Sequence, residues 1–368
     1  MKLIKPYTEI YPLHSADTSE VAVLAQIEKI ARTCYKSEDK IGITRCKSCN
    51  VATPESCTKP KYISGNCMGS IMDESILGIR SDIDLIHNKL IPNGHHAMLE
   101  FGYHPIVKVT PMMAESLGEI AVFNSESKDE YTTKYLNISR RKNDAILSGS
   151  FRVFRDIITN HSDMLVVRIL HKVLEDKYPL LFADLHSEYM PTSVSNATLI
   201  DAKDLFPIER VYHVYLTVKF VCDRGVSHEL VRHRVASFAQ ESTRYCNYGK
   251  DEHITFIIPS WFIELTPGIY DDLAVTTVQE EINWLHHMLN TEGLYNSLIL
   301  NNWSPQQARS VLPNSLKTEI NVSANIREWR HIFKLRTAKT AHPQMRELMC
   351  PLLDEFKSKI PLLFDDIR

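Results

Sequence analysis

The chain has 368 residues, of which 44% are hydrophobic and 24% charged, the ordinary composition of a water-soluble globular protein. With 42 basic against 45 acidic residues, its net charge of −3 excludes a general positive field that would hold it on nucleic acid or an anionic membrane. Length alone favours two domains, or one domain with large insertions.

No segment near the start has the continuous apolar stretch of a signal peptide. The most apolar helix-like run, 164–185, is interrupted by charged and titratable side chains and does not predict a membrane span. Eight cysteines in a long chain without an export signal indicate reduced thiols. We expect a cytoplasmic protein without a membrane or nucleic-acid partner.

The first part of the chain alternates between periodic and irregular segments. Apolar residues at helical spacing predict a helix over 20–36. Residues 37–80 then lose periodicity and become rich in Cys, Ser, Gly and Pro, which is typical of an insertion. A helix is predicted at 82–91, followed over 94–110 by a turn that leads into a strand.

Residues 115–205 form the second predicted insertion, with polar stretches and one helix near 163–176. The clearest strand is 211–222, where apolar residues alternate with a face that contains His213, Thr217 and Lys219. A turn follows it. Ser227 is then a suitable N-cap for a helix that carries Glu229, Arg232 and His233.

Helices dominate the last third of the chain, at 276–299, 305–311 and 325–358, and Pro343 is expected to break or kink the last of them. No period of 20–50 residues repeats along the chain. Residues 148–157 do parallel residues 323–332. Ten positions of small and aromatic residues are weak evidence, so chance is the default explanation.

Arg232, His233 and Arg234 place two permanent positive charges and one titratable donor side by side. Guanidinium groups match phosphate oxygens, so such a triplet suits a phosphate, a pyrophosphate or a pyrimidine edge. An arbitrary triplet of this kind is more often a solvated turn. Here an apolar strand precedes it and few lysines follow it, which favours a binding site.

The triplet is followed by seven residues, then Ser242, and then Arg244 and Tyr245. This pattern resembles the signature of flavin-dependent thymidylate synthases. Residues 95–100 (HHAMLE) resemble an upstream stretch of that family, and 305–347 resemble a downstream block. Together with residues 34–37 (CYKS), these segments cover most of the chain outside the two insertions.

The resemblance implies a mixed α/β (α+β) fold with an antiparallel-type sheet and flanking helices. It would form a single catalytic domain over 1–368, with insertions at about 37–80 and 115–205. The implied reaction converts dUMP to dTMP, with methylene-tetrahydrofolate as the carbon donor, NADPH as the reductant and FAD as the cofactor. The implied assembly is a homotetramer with flavin sites between subunits.

The resemblance also implies which residues form the site. The expected FAD contacts are Ala97, Arg232, His233, Arg234, Gln240, Asn325, Arg327 and His331. The expected dUMP contacts are Glu229, Arg232, Gln240, Glu241, Ser242, Thr243, Arg244, Arg309 and Arg336.

Arg336 has the catalytic role in this interpretation. A fixed cation beside a ring carbonyl stabilises the enolate-like charge that develops as uracil is activated. An arginine is permanently protonated, so it cannot readily act as a base. Without the resemblance, an arginine on the outer face of the last helix would be the simpler interpretation.

Two positions depart from the family pattern. Ala97 stands where the family usually has a hydroxyl group, and Gln240 where many members have Glu. Ser242 has no His/Asp relay that the sequence can assign, so we interpret it as a dUMP ligand, not a nucleophile. Thiol-dependent thymidylate synthases attack uracil with a cysteine, and neither Cys222 nor Cys246 has their flanking sequence.

Cys46, Cys49, Cys57 and Cys67 could bind zinc, but a second CxxC pair is absent and free thiols are the favoured interpretation. The alternative function is a nucleotide- or RNA-binding module that has kept the basic triplet and lost the chemistry. A flavoprotein that acts on another pyrimidine or methyl acceptor is a further alternative. We expect no metal in the catalytic site.

Overall fold

Two four-stranded antiparallel sheets organise the computed structural model of the chain. The described residues are 1–11, 18–37, 61–62, 66–67, 85–123, 136–182, 184–185, 196–271 and 276–367. The mixed α/β class with antiparallel sheets is confirmed.

The helices and strands alternate along the chain. The α-helices are α1 (Glu20–Thr33), α2 (Pro111–Phe123), α3 (Phe151–Asn160), α4 (Leu165–Lys177), α5 (Pro179–Phe182), α6 (Pro207–His213), α7 (Arg224–Leu230), α8 (Gln279–Leu300), α9 (Pro305–Ala308), α10 (Ile326–Arg336), α11 (Pro343–Lys359) and α12 (Pro361–Phe364). The strands are β1 (Lys2–Ile4), β2 (Tyr7–Ile10), β3 (Lys61–Tyr62), β4 (Asn66–Cys67), β5 (Ile106–Val109), β6 (Asn137–Arg140), β7 (Ala145–Ser148), β8 (Ala197–Leu199), β9 (Tyr215–Asp223), β10 (Ser237–Gln240), β11 (Thr255–Ile257), β12 (Gly268–Ile269) and β13 (Lys317–Asn325). A π-helix (Leu85–Leu90) and a 3-10 helix (His96–Glu100) precede β5.

The N-terminal sheet has the strand order β6-β7-β5-β8, and the C-terminal sheet has the order β10-β13-β9-β2. Each sheet has one edge strand from a segment that leads, through a helix, into the other sheet. In the chain, β2 and α1 come before the strands of the N-terminal sheet, yet β2 pairs with β9 of the C-terminal sheet. β8 and α6 lead into β9, yet β8 pairs with β5. The two sheets are therefore interlocked through the chain.

Each sheet has a hydrophobic core of its own. The N-terminal sheet packs against α1, α2, α3 and α4, and Phe151, Phe154 and Tyr178 are fully buried there. The C-terminal sheet packs against α7, α10 and α11, around the fully buried Trp329. The Trp329 indole N–H donates to the Leu216 carbonyl, which satisfies both groups inside the core.

The strand predicted at 211–222 begins later, at Tyr215. Residues 207–213 form α6, because Pro207 suits the first turn of a helix and the Glu209 carboxylate accepts a hydrogen bond from the Phe206 N–H. β9 is also buried on both faces except at Lys219, so its alternation does not mark a solvent face.

The N-cap predicted at Ser227 is wrong. Asp223 caps α7, since its side chain accepts a hydrogen bond from the Val226 N–H at 2.9 Å. Ser227 lies inside the helix and its hydroxyl donates to the Arg224 carbonyl. Because α7 ends at Leu230, Arg232 and His233 lie in the turn that follows it and not on the helix.

Other helices agree more closely with the sequence predictions. α1, α4 and α8 lie within a few residues of the predicted positions. The helix predicted over 325–358 is divided into α10 and α11, and Pro343 begins the second of them. Among the described residues, no helix is both long and apolar enough to cross a membrane.

Two predictions concern the segments interpreted as insertions. Cys46, Cys49 and Cys57 lie outside the described residues, and Cys67 is described only as part of the short strand β4. Residues 115–205, predicted as an insertion with one helix, contain most of the N-terminal sheet. Strands of three or four residues give too little alternation to be recognised.

Candidate functional site

The Arg-His-Arg triplet lies in the turn between α7 and β10. His233 is buried, and its Nε2 accepts a hydrogen bond from Nε of Arg336 at 3.0 Å. Its Nδ1 lies 3.7 Å from a carboxylate oxygen of Glu328. Since Nε2 is the acceptor, a neutral His233 carries its proton on Nδ1.

Arg336, the last residue of α10, reaches across to the end of α7. Its Nη1 lies 2.6 Å from Oε2 of Glu229, and Nη2 donates to the Glu229 carbonyl at 3.1 Å. The Glu229 carbonyl also accepts from the Arg232 N–H at 3.2 Å, so Arg336 is a second donor at the C-terminus of α7. Arg336 is therefore tied into the structure and is not an arginine on an outer helix face.

Three further side chains are exposed around His233: Arg232, Arg327 and His331. The Arg327 guanidinium lies over the ring of Tyr212, 5.7 Å from its centroid. Asn325 caps α10, since its Oδ1 accepts from the Glu328 N–H, and its Nδ2 donates to the Tyr212 carbonyl. We call this group the turn cluster. It comprises Glu229, Arg232, His233, Arg234, Asn325, Arg327, His331 and Arg336.

A second group, the strand-end cluster, comprises Glu241, Ser242, Thr243, Arg244 and Arg309, beyond the other end of β10. The Ser242 N–H donates to the Cys34 carbonyl at 3.0 Å, which fixes this turn against the end of α1. Nη1 of Arg309 lies 3.2 Å from the Thr243 hydroxyl. Arg244 is exposed, with its guanidinium over the Tyr245 ring.

Glu241 takes part in a buried ion-pair network. Nζ of Lys317 lies 3.1 Å from Oε2 of Glu241 and also contacts Glu319, which in turn pairs with Lys219. Burial alone would lower the pKa of Lys317, but the two carboxylates outweigh it and raise that pKa. Lys317 therefore stays charged, and it neutralises much of the negative charge that Glu241 would present to a nucleotide phosphate.

Gln240 lies between the two clusters and is already bonded on one side. Its Nε2 donates to the Ser227 hydroxyl at 2.9 Å and to the Thr318 hydroxyl at 3.2 Å. The amide oxygen is the acceptor that the predicted ligand contacts would use.

The structure thus divides the predicted dUMP set. Glu229 and Arg336 belong to the turn cluster, whereas residues 241–244 and Arg309 belong to the strand-end cluster. The four residues of β10 separate the two, and an extended strand of that length spans about 10 Å.

Ala97 is positioned differently from the other predicted flavin residues. It lies in the 3-10 helix, which packs against the face of β10 that carries Ser237 and Ala239. Glu100 links this helix to the signature, because it accepts hydrogen bonds from Arg152 at 2.8 Å and from the Ser237 hydroxyl.

Tyr35 connects the other segments that resemble the family. Its hydroxyl lies 3.0 Å from Nδ1 of His95, and its ring lies 5.6 Å from that of Tyr245. Residues 34–37, 95–100 and 232–245 therefore meet in one region. The sequence prediction did not assign roles to Tyr35, Arg152 or Lys317. Tyr35 could have been found from its place in the quoted CYKS segment, whereas no local signal marks the other two.

Two members of the turn cluster, together with the neighbouring Glu328, have the residue types of a metal site. Ligand atoms of His233, Glu328 and His331 lie within 4.8 Å of one another. However, the Arg336 N–H points at Nε2 of His233, and several arginines surround the group. This chemistry opposes a cation and suits an anion. The exposed guanidinium groups therefore fit the pyrophosphate of a dinucleotide such as FAD, and the polar residues present are compatible with that cofactor.

Comparisons with known proteins match this part of the chain. Residues 200–362 match the family model described as thymidylate synthase complementing protein. A flavin-dependent thymidylate synthase of Pyrococcus furiosus is 34% identical over 148 residues, which cover 40% of this chain and 54% of that protein. The enzyme of Corynebacterium aurimucosum is 35% identical over 151 residues, which cover 39% and 58%.

A solved structure of a UMP/dUMP methylase from Streptomyces cacaoi, bound with 5-Br UMP, is 19% identical and covers 42% of this chain and 74% of that one, with a TM-score of 0.35. The chain spans about half the length of the curated relatives it matches. The region matched by the family model contains both clusters and α7, β9, β10 and β13. Residues 200–362 are therefore similar to flavin-dependent thymidylate synthases, and the resemblance predicted from the motifs is confirmed.

Proposed function

We propose that the protein catalyses the reductive methylation of dUMP to dTMP, with methylene-tetrahydrofolate as the carbon donor, NADPH as the reductant and FAD as the cofactor. The observation that carries the proposal is the pair of donor-rich clusters at the two ends of the edge strand β10. The named relatives of the matched region act as flavin-dependent thymidylate synthases, which supports the same activity here.

The strand-end cluster is the proposed nucleotide side. Arg244 is exposed and Arg309 is oriented by Thr243, so two guanidinium groups are available to a phosphate. The backbone of Ser242 is fixed by Cys34, and its hydroxyl accepts from the Arg244 N–H, which leaves the hydroxyl proton able to donate to a ligand. Glu241, neutralised by Lys317, can approach the nucleotide without strong repulsion of its phosphate.

The turn cluster is the proposed flavin side. Arg232, Arg234 and Arg327 would hold the cofactor phosphates, with His233, His331, Asn325, Gln240 and Ala97 as further contacts. When bound, FAD supplies the hydride that reduces the transferred carbon to a methyl group. The protein's own contribution is to place the reactants and to hold fixed positive charge beside them.

Arg336 would stabilise the activated uracil ring. Its guanidinium is held at Nε by His233 and at Nη1 and Nη2 by Glu229, so its orientation is set before a ligand arrives. A preorganised cation needs little reorganisation as negative charge develops on the ring oxygen. Glu229 would then hold Arg336 in place as well as contact dUMP.

We further propose that a second copy of the chain completes the site. The four residues of β10, about 10 Å of extended chain, lie between the turn that carries Arg232 to Arg234 and the strand-end cluster, and β10 is the outer strand of its sheet. A neighbouring copy can bring its own turn cluster against the strand-end cluster of the first. This arrangement agrees with the implied flavin sites between subunits.

The direct test uses purified protein supplied with FAD, dUMP, methylene-tetrahydrofolate and NADPH. We expect NADPH oxidation that depends on dUMP and an equal yield of dTMP. A colourless protein that takes up no added FAD would instead support a nucleotide- or RNA-binding module. Flavin uptake with NADPH oxidation but no dTMP would indicate a flavoprotein that acts on another acceptor.

A further inference from the structure

The two sheets have the same topology. β5, β6 and β7 of the N-terminal sheet correspond in order and direction to β9, β10 and β13 of the C-terminal sheet. The exchanged edge strands β8 and β2 also correspond, because each pairs antiparallel with the first of those three strands. In both sheets, therefore, the edge strand comes from the segment that leads into the other sheet.

The helix that follows the central strand is capped in the same way in both halves. After β7, the Ser150 hydroxyl accepts from the Val153 N–H at the start of α3. After β13, the Asn325 side chain accepts from the Glu328 N–H at the start of α10. The similar sequences at 148–157 and 323–332 lie on these two junctions, so they have a structural counterpart.

An arginine on each capped helix fastens the same kind of C-terminal turn. Nη1 of Arg155 contacts the Leu181 carbonyl and, at 2.7 Å, the Asp184 carboxylate. Nη1 of Arg330 contacts the Leu363 carbonyl and, at 2.7 Å, the Asp366 carboxylate. The short helices involved, α5 and α12, both read Pro-Leu-Leu-Phe. The N-terminal half is therefore a second copy of the same structural unit.

The two copies can be aligned at the site. Residues 141–144, after β6, stand where residues 241–244 of the strand-end cluster follow β10. Each segment is fastened to the segment that leads into the other half of the chain. Ser242 bonds the Cys34 carbonyl beyond α1, and Arg141 bonds Glu209 of α6 at 2.6 Å and the Asp204 carbonyl. The N-terminal half thus has its own counterpart of the nucleotide side.

A cavity of about 470 Å³ opens at this counterpart position, within the usual size range of small-molecule pockets. It is lined by Ser139, Arg140, Arg141, Lys142, Phe206, Ile208, Glu209 and Tyr212. Glu209 is neutralised by Arg141. Arg140 and Lys142 are exposed, and within the described part of the chain neither has an ion-pair partner.

The same cavity offers aromatic surface. The side chain of Phe206 is 59% exposed and that of Tyr212 is 36% exposed, which is unusual for residues of this size. Arg141 lies 4.7 Å from the centroid of the Phe206 ring and holds it in place. Two uncompensated cations beside two aromatic rings match a ligand with a phosphate at one end and a flat base at the other.

We propose that this cavity is a second nucleotide site, which binds a nucleoside monophosphate with its phosphate between Arg140 and Lys142 and its base against Phe206 and Tyr212. The inference rests on the proposed function in one respect, since the strand-end cluster is taken as the nucleotide side. The signature itself has no counterpart after β6, where 141–144 read RKND, so the second site would bind without catalysis.

Equilibrium dialysis of the FAD-saturated protein against radiolabelled dUMP, dTMP and AMP tests the proposal. With at least one of these probes we expect a site that Arg140→Ala combined with Lys142→Ala weakens tenfold or more. Arg244→Ala should leave that site intact and weaken the binding of dUMP at the other. The matched control combines Lys108→Ala with Lys339→Ala, which removes two exposed charges elsewhere and should change neither site.

The outcomes separate this inference from the proposed function. If dUMP binding is lost with Arg244→Ala and no probe depends on Arg140 and Lys142, the second site does not exist and the proposed function stands. If the double variant lowers bound flavin instead, the cavity belongs to the flavin site and the inference is wrong. If the second site binds its probe while Arg244→Ala leaves dUMP binding unchanged, the assignment of the strand-end cluster fails.

Discussion

Arg336 has a proposed catalytic role, to stabilise the activated uracil ring, and a structural role in its contacts with α7 and His233. A substitution tests the catalytic role. The Arg336 guanidinium is a second donor at the C-terminus of α7 and also contacts Glu229 and His233. We expect Arg336→Ala to lower dTMP formation by at least about 100-fold, in the range found when one preorganised electrostatic donor is removed. FAD content should remain near that of the unchanged protein, because the other flavin-side residues are retained. Turnover and flavin absorbance measure the two effects.

Two variants control this prediction. Lys334→Ala, on the exposed face of the same helix, should leave turnover unchanged. Arg336→Lys keeps the charge but loses the planar fork that bonds Glu229 and His233 together, so it should recover only a small part of the activity. Near-normal dTMP formation by Arg336→Ala would remove this residue from its assigned role.

His213 should make stability depend on pH. It is almost fully buried, with Nδ1 2.7 Å from the Ser148 hydroxyl and Nε2 2.7 Å from the Ser139 hydroxyl. Burial lowers its pKa from 6.5 to about 4, against an opposing effect of Glu209 and assisted by Arg141. Below pH 6.5 the unfolded chain therefore binds a proton that the folded protein does not.

The resulting stability is present above pH 6.5 and is lost as the pH falls towards 4, by up to roughly 3 kcal/mol. His213→Gln removes this titration. We therefore expect the difference in unfolding free energy between the two proteins to be largest at pH 7 to 8 and to shrink towards pH 4, as measured by urea unfolding. A difference that stays constant over this range would show that His213 is not held neutral.

Arg155 and Arg330 each anchor a short helix, α5 and α12 respectively. Arg155→Met leaves the Leu181 carbonyl and the Asp184 carboxylate without that partner, which should cost about 1–3 kcal/mol. Arg330→Met removes the equivalent contacts to Leu363 and Asp366. Its cost should be smaller, because the Arg330 side chain is 23% exposed and that of Arg155 only 9%.

Chemical unfolding measures both costs, and Lys172→Met is the matched control on α4. Lys172 forms an exposed ion pair with Asp176 one helical turn away, and such pairs contribute little. If Arg155→Met is no more costly than Lys172→Met, the contact to α5 does not stabilise the N-terminal unit.

Long periodic elements were predictable from the sequence. Short strands and the choice of the N-cap residue of α7 were not. α1 and α8 carry enough turns for their apolar spacing to be recognised. β6 and β7 have four residues each, too few to distinguish alternation from chance. Asp223 and Ser227 are both good N-cap residues, and only the hydrogen bond to Val226 decides between them.

The sequence names candidate residues for the site, but it does not give their geometry. The spacing of residues 232–245 identifies the family, because the signature is contiguous in the chain. The bond between Arg336 and His233 joins residues about one hundred positions apart, and no local pattern encodes it. The separation of the two clusters by β10 also follows from the sheet, since residues near in sequence become distant when an extended strand lies between them.

At the scale of the whole molecule, the interlocked sheets couple the two halves. β2 contributes its backbone hydrogen bonds to the C-terminal sheet, and β8 contributes its bonds to the N-terminal sheet. Neither half can unfold without breaking strand pairs of the other. The N-terminal half therefore has the position of a permanently attached partner of the half that carries the signature.

This internal pairing changes the expected assembly. The region matched by the family model contains three strands, β9, β10 and β13, of one sheet unit, whereas the chain contains two such units. Two chains already supply four units, the number that a homotetramer of single-unit chains would contain. We therefore expect a pair of 42.3 kDa chains, or 84.6 kDa, in place of the homotetramer that the resemblance alone implies. Light scattering on the FAD-loaded protein measures the mass. A value of 169.2 kDa, four chains, would show that the N-terminal half does not replace a subunit.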